Sequence, residues 1–252
     1  MRWALRAEWT KLRTTPGPIW LLSAIVVLTV FVGTAAAATL PGSPGEGNVD
    51  RVKVSLTGVQ LGQAIVAILA VLVIGTEYST GMIATTLTAV PRRTTVLAAK
   101  ATVLTGVVTA AATIAVLGSL LAGRLVQPGH GYRPPSLADG PVLRAAVGSV
   151  CYLTLIALLG LGVTTAVRDS ASAIGIVLGL LYVYPIIIQV VSDPHLQRRL
   201  QQIGPMSAGL AVQTTTHLSS LPISPWRGLG VLAAWAATAL LTGGVLLQRR
   251  DA

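Results

Sequence analysis

The stretch GTEYSTGMIATTLTAVPRR, residues 75–93, places Glu77 at the point where a long apolar run ends. It is too short to cross a bilayer again, because a spanning helix needs roughly 20 apolar residues. Ile83, Leu87 and Val90 nevertheless recur at the spacing of one helix face. The sequence therefore predicts a short amphipathic helix between two membrane spans.

The composition places the chain among integral membrane proteins. Of its 252 residues, 53% are hydrophobic and only 10% are charged, whereas a soluble domain carries about 25% charged residues. The formal net charge of +10 does not indicate binding of nucleic acid, because the basic residues form short clusters between apolar runs. Anionic lipid headgroups are the simpler partners for such clusters.

Six apolar stretches are long enough to cross the membrane. They must do so as helices, because every backbone group in lipid has to be hydrogen-bonded within its own segment. The stretches lie near residues 19–40, 56–76, 97–122, 145–167, 171–191 and 228–247. We therefore expect an all-α polytopic membrane protein, with residues 1–252 forming a single transmembrane domain.

Residues 1–17 precede the first span and predict an in-plane amphipathic helix. Met1, Leu5, Trp9 and Leu12 share a narrow face, flanked by Arg2, Arg6 and Arg13. The alternative is a cleaved signal peptide, with GTAAAATL at 33–40 as the processing site. The apolar core of a signal peptide is only about 7 to 15 residues long, and the longer run after Pro18 favours the in-plane helix.

The distribution of Lys and Arg favours cytoplasmic N- and C-termini. With that orientation, ten of the 18 basic residues fall in the inner segments and eight in the outer ones. The inner segments are shorter in total, so their density of positive charge is higher.

Residues 192–227 form the third predicted external region, and their pattern differs from that of a plain loop. A polar stretch at 193–202 is followed by IGPMSAGLAV at 203–212, which Gly204, Pro205 and Gly209 interrupt. About ten apolar residues suit a re-entrant or interfacial segment better than a span. We therefore expect this external region to re-enter before the last span.

The sequence does not contain the residues or motifs that several functional classes require. No ionisable side chain lies near the middle of a predicted span, which argues against an ion-coupled transporter. Lys100 lies one turn inside its span, where we expect it to snorkel to the surface. There is no H-E-x-x-H metal motif and no phosphate-binding loop. We therefore expect no catalytic or metal site and no ATP hydrolysis in this chain.

Polar residues inside the spans are candidates for a translocation path or for helix packing. Gln60, Gln63 and Gln189 cannot titrate, and interhelical hydrogen bonding is favoured over substrate contact. Pro185 removes a backbone donor from the fifth span, so we expect a kink near 182–189. Tyr182, Tyr184 and Gln189 near that bend are candidates to line a path, with helix packing as the alternative.

Three motifs together resemble the permease subunit of type-2 ABC exporters, particularly the actinobacterial ones. They are EWTKLR at 8–13, EYSTGMIATTLTAVPRR at 77–93 and VLAAKA at 96–101. The likeness covers nearly the whole chain in layout, and the second motif is the specific part.

The resemblance implies a fold and a set of partners. In that family an in-plane helix precedes six spans, and a cytoplasmic coupling helix between spans two and three docks on a separate ATPase subunit. Two permeases and two ATPases form the transporter, and ATP and Mg²⁺ bind to the ATPases, so no cofactor is expected in this chain. By this likeness residues 77–93 hold the coupling helix, and Arg168 with Asp169 forms a second inner contact. The docking candidates in the first segment are Glu77, Tyr78, Ser79, Thr80, Gly81, Met82, Ile83, Leu87, Arg92 and Arg93.

Individual roles follow from the residue types in this segment. Gly81 permits a tight turn into the helix, and Ile83, Leu87 and Val90 seat it against the bundle. Tyr78, Met82 and the threonines remain to meet the partner. Pro91 ends the helix, and Arg92 with Arg93 pins it at the inner headgroups.

The carboxylate of Glu77 needs water or a cation where the second span ends. The candidates for that cation are Arg6, Arg13 and Arg168. Such a pair would align the span with the in-plane helix.

The sequence therefore predicts a multi-pass plasma-membrane permease that binds an ABC ATPase, a second permease copy or paralogue, and membrane lipids. The alternative is a non-transporting regulatory or immunity subunit that uses the same helix only to bind a cytoplasmic partner.

Overall fold

A computed structural model of the protein describes residues 2–40, 49–89, 93–126, 136 and 138–249. These residues contain helices and no β-strand. The helices are α1 (Arg2–Thr14), α2 (Pro16–Ala38), α3 (Arg51–Ser55), α4 (Val59–Ser79), α5 (Met82–Ala89), α6 (Arg93–Val126), α7 (Gly140–Val167), α8 (Ser170–Leu178), α9 (Tyr184–Val190), α10 (Pro194–Ile203), α11 (Pro205–Gly209) and α12 (Pro225–Arg249).

Six of these segments are long and apolar enough to cross a membrane, which confirms the predicted number of spans. They are α2, α4, α6, α7, the continuous segment Ser170–Val190 that contains α8 and α9, and α12. Some helices extend beyond the apolar stretches: α6 begins at Arg93 and α7 at Gly140. A helix continues past the hydrocarbon wherever nothing in the sequence terminates it.

The helix α7 lies at the centre of the bundle. It packs against α4, α6, α8 and α12, and Leu153, Ile156 and Leu161 are fully buried. Different helices lie at the two ends of the bundle. One, the α5 end, holds α1, the end of α4, α5 and the start of α6. The other, the α3 end, holds α3, α10 and α11.

Two glycines bring α7 and α12 into close contact. A Cβ atom at Gly162 would lie 2.5 Å from the carbonyl carbon of Ala239, and one at Gly243 would lie 2.7 Å from the carbonyl oxygen of Gly162. Small residues at such crossings let helix backbones approach in a membrane, where van der Waals packing stabilises association. The neighbouring Gly244 is not restricted in this way, because its nearest contact would be a side-chain atom of Leu97 at 3.5 Å.

We expect Gly243→Ala to destabilise the protein, because the added methyl group pushes α12 away from α7. Overpacking of this kind costs about 1–3 kcal/mol. Thermal unfolding of the detergent-solubilised protein measures the effect, and Gly244→Ala is the matched control with little expected change in Tm. Equal melting temperatures for the two variants would contradict this account of the crossing.

The fifth span contains an irregular turn, as Pro185 predicts. Residues Gly179–Val183 form a π-helical turn, in which the N–H of Tyr184 donates to the carbonyl of Gly179 five residues back. The turn precedes Pro185, because a proline cannot donate to the carbonyl four residues before it and its ring clashes with that carbonyl. The widened turn moves the backbone away from this clash.

The connection between the fifth span and α12 packs partly against the bundle. The helix α10 has no buried residue, whereas α11 and the following 3₁₀ turn Leu210–Gln213 pack against α7 and α12. A Cβ atom at Gly209 would lie 2.6 Å from the ring of Tyr152. The irregular backbone is therefore covered by protein, which is the condition for its presence at membrane depth.

Hydrogen bonds tie the end of this segment to α3 and α7. Asp50 caps α3 by accepting from the Lys53 N–H, and it also accepts from the N–H and hydroxyl groups of Thr215 and from the Thr216 N–H at 3.1 Å. The Arg144 guanidinium donates to the carbonyl oxygen of Thr214 at 2.7 Å. One carboxylate and one guanidinium thus satisfy the backbone where the segment leaves the bundle.

Candidate coupling site

A glycine turn separates the second span from α5. The N–H of Thr80 donates to the Thr76 carbonyl at 3.1 Å, and the hydroxyls of Ser79 and Thr80 donate to the same carbonyl. Gly81 follows with φ of 71°, in the left-handed region that favours glycine. The tight turn predicted at Gly81 is therefore confirmed, and the hydroxyls of Ser79 and Thr80 close the end of α4.

The helix α5 presents one residue to the bundle and another to solvent. Ile83 is buried against Val96, with Tyr78 packed on both, whereas 48% of the Met82 surface is exposed. The seating role of Ile83 is therefore confirmed. The side chain of Leu87 and the residues Val90, Pro91 and Arg92 lie outside the part of the chain that the structure describes.

The prediction that Tyr78 faces a partner is wrong for its hydroxyl group, which is buried. The ring packs beneath α5 on Ile83 and Val96, because Tyr78 lies on the last turn of α4 before the chain reverses. The side chains of α5 that the structure describes as exposed are Met82, Thr85 and Thr88.

Arg168 and Asp169 lie at the same end of the bundle. Arg168 ends α7 in the left-handed conformation, with φ of 64°, and its guanidinium carbon is 5.9 Å from the centre of the Tyr78 ring. This geometry allows a cation–π contact. Asp169 begins α8 by accepting from the Ser172 N–H at 2.7 Å, and this hydrogen bond lowers the pKa of the carboxyl below its ordinary value. Arg168, from the second predicted docking segment, thus lies against Tyr78, from the first.

Arg93 joins the start of α6 to the last span. Its guanidinium donates to the carbonyl oxygen of Leu247 near the end of α12 at 2.8 Å. Cations favour helix C-termini because the last carbonyls carry partial negative charge. Arg93 is thus half-buried in the bundle at this position.

A four-charge cluster, formed by Glu8, Lys11, Glu77 and Lys100, lies where α1, α4 and α6 meet. The Lys100 ammonium is 2.6 Å from Glu77 Oε1 and 2.8 Å from Glu8 Oε2. The Lys11 ammonium is 2.7 Å from Glu77 Oε1 and 3.2 Å from Glu8 Oε1. Both carboxylates and Lys100 are buried, and Lys11 is half-exposed.

The predicted cations for Glu77 are therefore wrong. Arg168 stacks on Tyr78, Arg6 lies over the Trp3 ring at 5.6 Å, and Arg13 is exposed. The face of α1 that meets α4 carries Glu8 and Lys11, which are three residues apart and so lie side by side. The prediction that Lys100 snorkels is also wrong, because its residue surface is only 1% exposed.

The cluster is balanced in charge, with two carboxylates and two ammonium groups. Burial lowers the pKa of Lys11, but the hydrogen bond from its ammonium to Glu77 and the charges of Glu8 and Glu77 raise it by more, so the net pKa is above its ordinary value. Lys11 is therefore charged at neutral pH. The pairing reduces the high cost of removing four charges from water.

Glu8, Lys11 and Lys100 were not predicted as site residues, although the position of Lys100 inside an apolar span indicated a buried ion pair. A lysine inside an apolar span needs an acidic partner at the same depth. Glu77, Asp169 and Asp251 lay next to predicted inner span ends, and Glu8 lay in the segment before the first span. Charge balance therefore indicated an acidic partner for Lys100, and only the packing of the helices decided which carboxylates it meets.

A cleft of about 350 Å³ lies beside the cluster. Its polar wall contains Glu8, Lys11 and Glu77, and Met82 of α5 lies at its edge. The remaining lining is mainly apolar and comes from α2 and α4. The half-exposed ammonium of Lys11 is therefore reached from this cleft.

The candidate path residues make different contacts within the bundle. Gln63 is fully buried, where it accepts from the Tyr152 hydroxyl and donates to Met206 Sδ at 3.4 Å. The interhelical hydrogen bonding predicted for Gln63 is thus confirmed. The Tyr182 hydroxyl donates to the backbone carbonyl of Gln60.

The other two path candidates lie elsewhere on the fifth span. The Tyr184 hydroxyl donates to the Leu200 carbonyl at 3.0 Å, and Gln189 is exposed. Tyr184 also lines an apolar groove of about 610 Å³ between the fifth span, α7 and Trp235 of α12. No group of His, Cys, Asp or Glu side chains able to hold a metal ion occurs among the described residues.

A sequence model of the ABC-2 family transporter proteins matches residues 4–191. The chain belongs to the ABC-2 transporter family. This protein is thus the membrane-spanning permease component of an ABC transporter, as the motif resemblance predicted. The matched region begins in α1, includes α5 and the four-charge cluster, and ends with the fifth span. A comparison with curated proteins found no match.

We expect Gly81→Val to loosen α5 in this ABC-2 permease, because a branched side chain in the left-handed region costs about 1–2 kcal/mol. Nothing lies within 4 Å of a Cβ atom built at Gly81, so the effect comes from the backbone alone. Hydrogen–deuterium exchange over residues 82–89 should therefore rise. Gly81→Asn is the matched control, since asparagine tolerates this conformation, and unchanged exchange in both variants would contradict the account.

Proposed function

We propose that this ABC-2 permease is the membrane subunit of an ATP-driven exporter and couples to a separate ATPase subunit through α5. The observation that supports this most directly is the geometry of α5, which follows the Gly81 turn with Ile83 buried and Met82 exposed. A short helix laid in a groove of a soluble partner is a common docking mode. The turn at Gly81 is four residues after Glu77 and α5 follows it directly, so that a displaced α5 would pull on the second span.

The proposed assembly contains two permeases, identical or paralogous, and two ATPases. ATP and Mg²⁺ bind to the ATPases, whereas this chain supplies the helices that rearrange. The fifth span suits the contact with a second permease, because Val183, Ile186 and Ile187 form an exposed apolar face beside the π-helical turn. A path between the two permeases would run near Tyr182, Tyr184 and Gln189.

We further propose that both termini are cytoplasmic in the plasma membrane. This orientation places α5 on the side where ATP is available. Arg93 at the start of α6, Arg168 at the end of α7 and Arg249 at the end of α12 then lie on the cytoplasmic side as well. The exposed rings of Trp3, Trp9 and Trp20 suit the headgroup region, where amphipathic aromatic side chains are enriched.

The orientation predicts which single cysteines label from outside intact cells. In a Cys151→Ser background, which removes the one native cysteine, an impermeant thiol reagent should label His217→Cys at the α3 end. Thr88→Cys on α5 should label only after the membrane is opened. Both positions are exposed, so accessibility within the protein is matched. Labelling of Thr88→Cys from outside would reverse the proposed orientation.

We expect Met82→Asp to weaken binding of the ATPase by about tenfold or more, because an aspartate in a desolvated contact leaves an unpaired charge. Membrane insertion should be unaffected, since Met82 is half-exposed in the permease itself. Co-purification of the ATPase subunit measures the binding, and Met82→Leu is the matched control that keeps an apolar side chain.

Two outcomes of this experiment would contradict the proposal in different ways. If Met82→Asp binds the ATPase as the wild type does, α5 is an ordinary interfacial helix and docking occurs elsewhere. If no ATPase co-purifies with the wild-type permease, a non-transporting regulatory or immunity subunit becomes the better interpretation.

A further inference from the structure

We propose that Lys100 is a positioning residue that joins the in-plane helix α1 to the end of α4, so that α1 moves with the coupling helix α5. The inference rests on the proposed function, since it gives the four-charge cluster a part in transmitting motion from the ATPase. In this proposal α1 takes part in the movement that accompanies transport, in addition to anchoring the chain at the membrane surface.

The coordination of Lys100 is complete. An ammonium group has three N–H donors, and the structure supplies three acceptors: Glu8 Oε2 at 2.8 Å, Glu77 Oε1 at 2.6 Å and the Val73 carbonyl at 3.3 Å. These acceptors lie on α1 and α4, whereas Lys100 itself lies on α6. One buried side chain therefore fixes three helices relative to one another.

The link between α1 and α4 depends on these side chains. The helix α1 packs against α6 and α2, and it reaches the end of α4 through the ion pairs to Glu77. Glu77 is in turn four residues from Gly81, where the chain turns into α5. A displacement of α5 would therefore reach α1 through Glu77 and Lys100.

The two lysines of the cluster are not equivalent. Each lysine contacts both carboxylates, but Lys11 is half-exposed and Lys100 is buried, so loss of Lys11 leaves both carboxylates with a fully buried cation. Loss of Lys100 instead leaves two buried carboxylates with one half-exposed ammonium. Breaking one side of a buried ion pair is strongly unfavourable, whereas replacing the whole set by neutral groups is often tolerated.

That difference allows the positioning role to be separated from folding. Lys100→Met tests the removal of the cation alone. The triple variant Glu8→Gln, Glu77→Gln, Lys100→Met removes all the buried charges of the cluster, and the Lys11 ammonium that remains is half-exposed to water. Lys11→Met is the contrast within the cluster, and Lys53→Met is the control outside it, because Lys53 is an exposed residue of α3.

The first measurement uses the permease alone in lipid nanodiscs. Spin labels at Arg13→Cys on α1 and Thr80→Cys at the end of α4, both exposed positions, report the distance between the two helices in a Cys151→Ser background. We expect one narrow distance in the wild type, Lys11→Met and Lys53→Met. The distribution should broaden in Lys100→Met and in the triple variant.

The second measurement uses the complex with the co-purified ATPase, with labels at Arg13→Cys and at His217→Cys as a distant reference. Addition of MgATP with vanadate should shift this distance in the wild type and in both single-lysine contrasts. The shift should be lost in Lys100→Met and in the triple variant. Both should still bind the ATPase, because the structure buries Glu8, Glu77 and Lys100, so that Glu77 is not available for docking as the sequence suggested.

Each contrary result has a distinct meaning. A triple variant with the wild-type distance and the full nucleotide-dependent shift would overturn the positioning role. A triple variant that fails to insert would also overturn it, because the cluster would then be a determinant of folding. If no ATPase binds the wild type, the proposed function fails, while the nanodisc distances still decide whether Lys100 positions α1.

Discussion

The burial of charge at the α5 end is the constraint on which that part of the structure depends. Lys100 and Glu77 lie at the ends of apolar spans and are almost completely buried, a situation that is costly without close partners. Their pairing requires α1 to lie across the bundle with Glu8 and Lys11 toward it. The direction of α1, the end of α4 and the start of α6 are therefore fixed together.

The two ends of the bundle satisfy their polar groups in different ways. At the α5 end, ionised side chains from three helices neutralise one another in the four-charge cluster. At the α3 end, Asp50 and Arg144 instead bond the backbone of residues 214–216, which follow the 3₁₀ turn Leu210–Gln213. Side-chain ion pairs are sensitive to the relative placement of helices, whereas these hydrogen bonds to the backbone hold one loop.

Local features of the fold could be predicted because they depend on chemistry within one or two helical turns. The number of spans follows from apolar length, the left-handed turn from Gly81, and the irregular fifth span from Pro185. The burial of Ile83 follows from its spacing on a helix face. The buried hydroxyl of Tyr78 did not follow, because the reversal of the chain after α4 decides what covers that ring.

The sequence by itself determined that this is a helical membrane protein with an amphipathic segment between its second and third spans, since the bilayer admits few other solutions for such apolar runs. Only the tertiary structure decided which charges meet. Glu77 had several cations within reach in the sequence, and the choice of Lys11 and Lys100 over Arg6, Arg13 and Arg168 depends on the rotation and depth of each helix. Those quantities arise from packing among all the helices, such as the contact of Gly162 with α12, and no local pattern contains them.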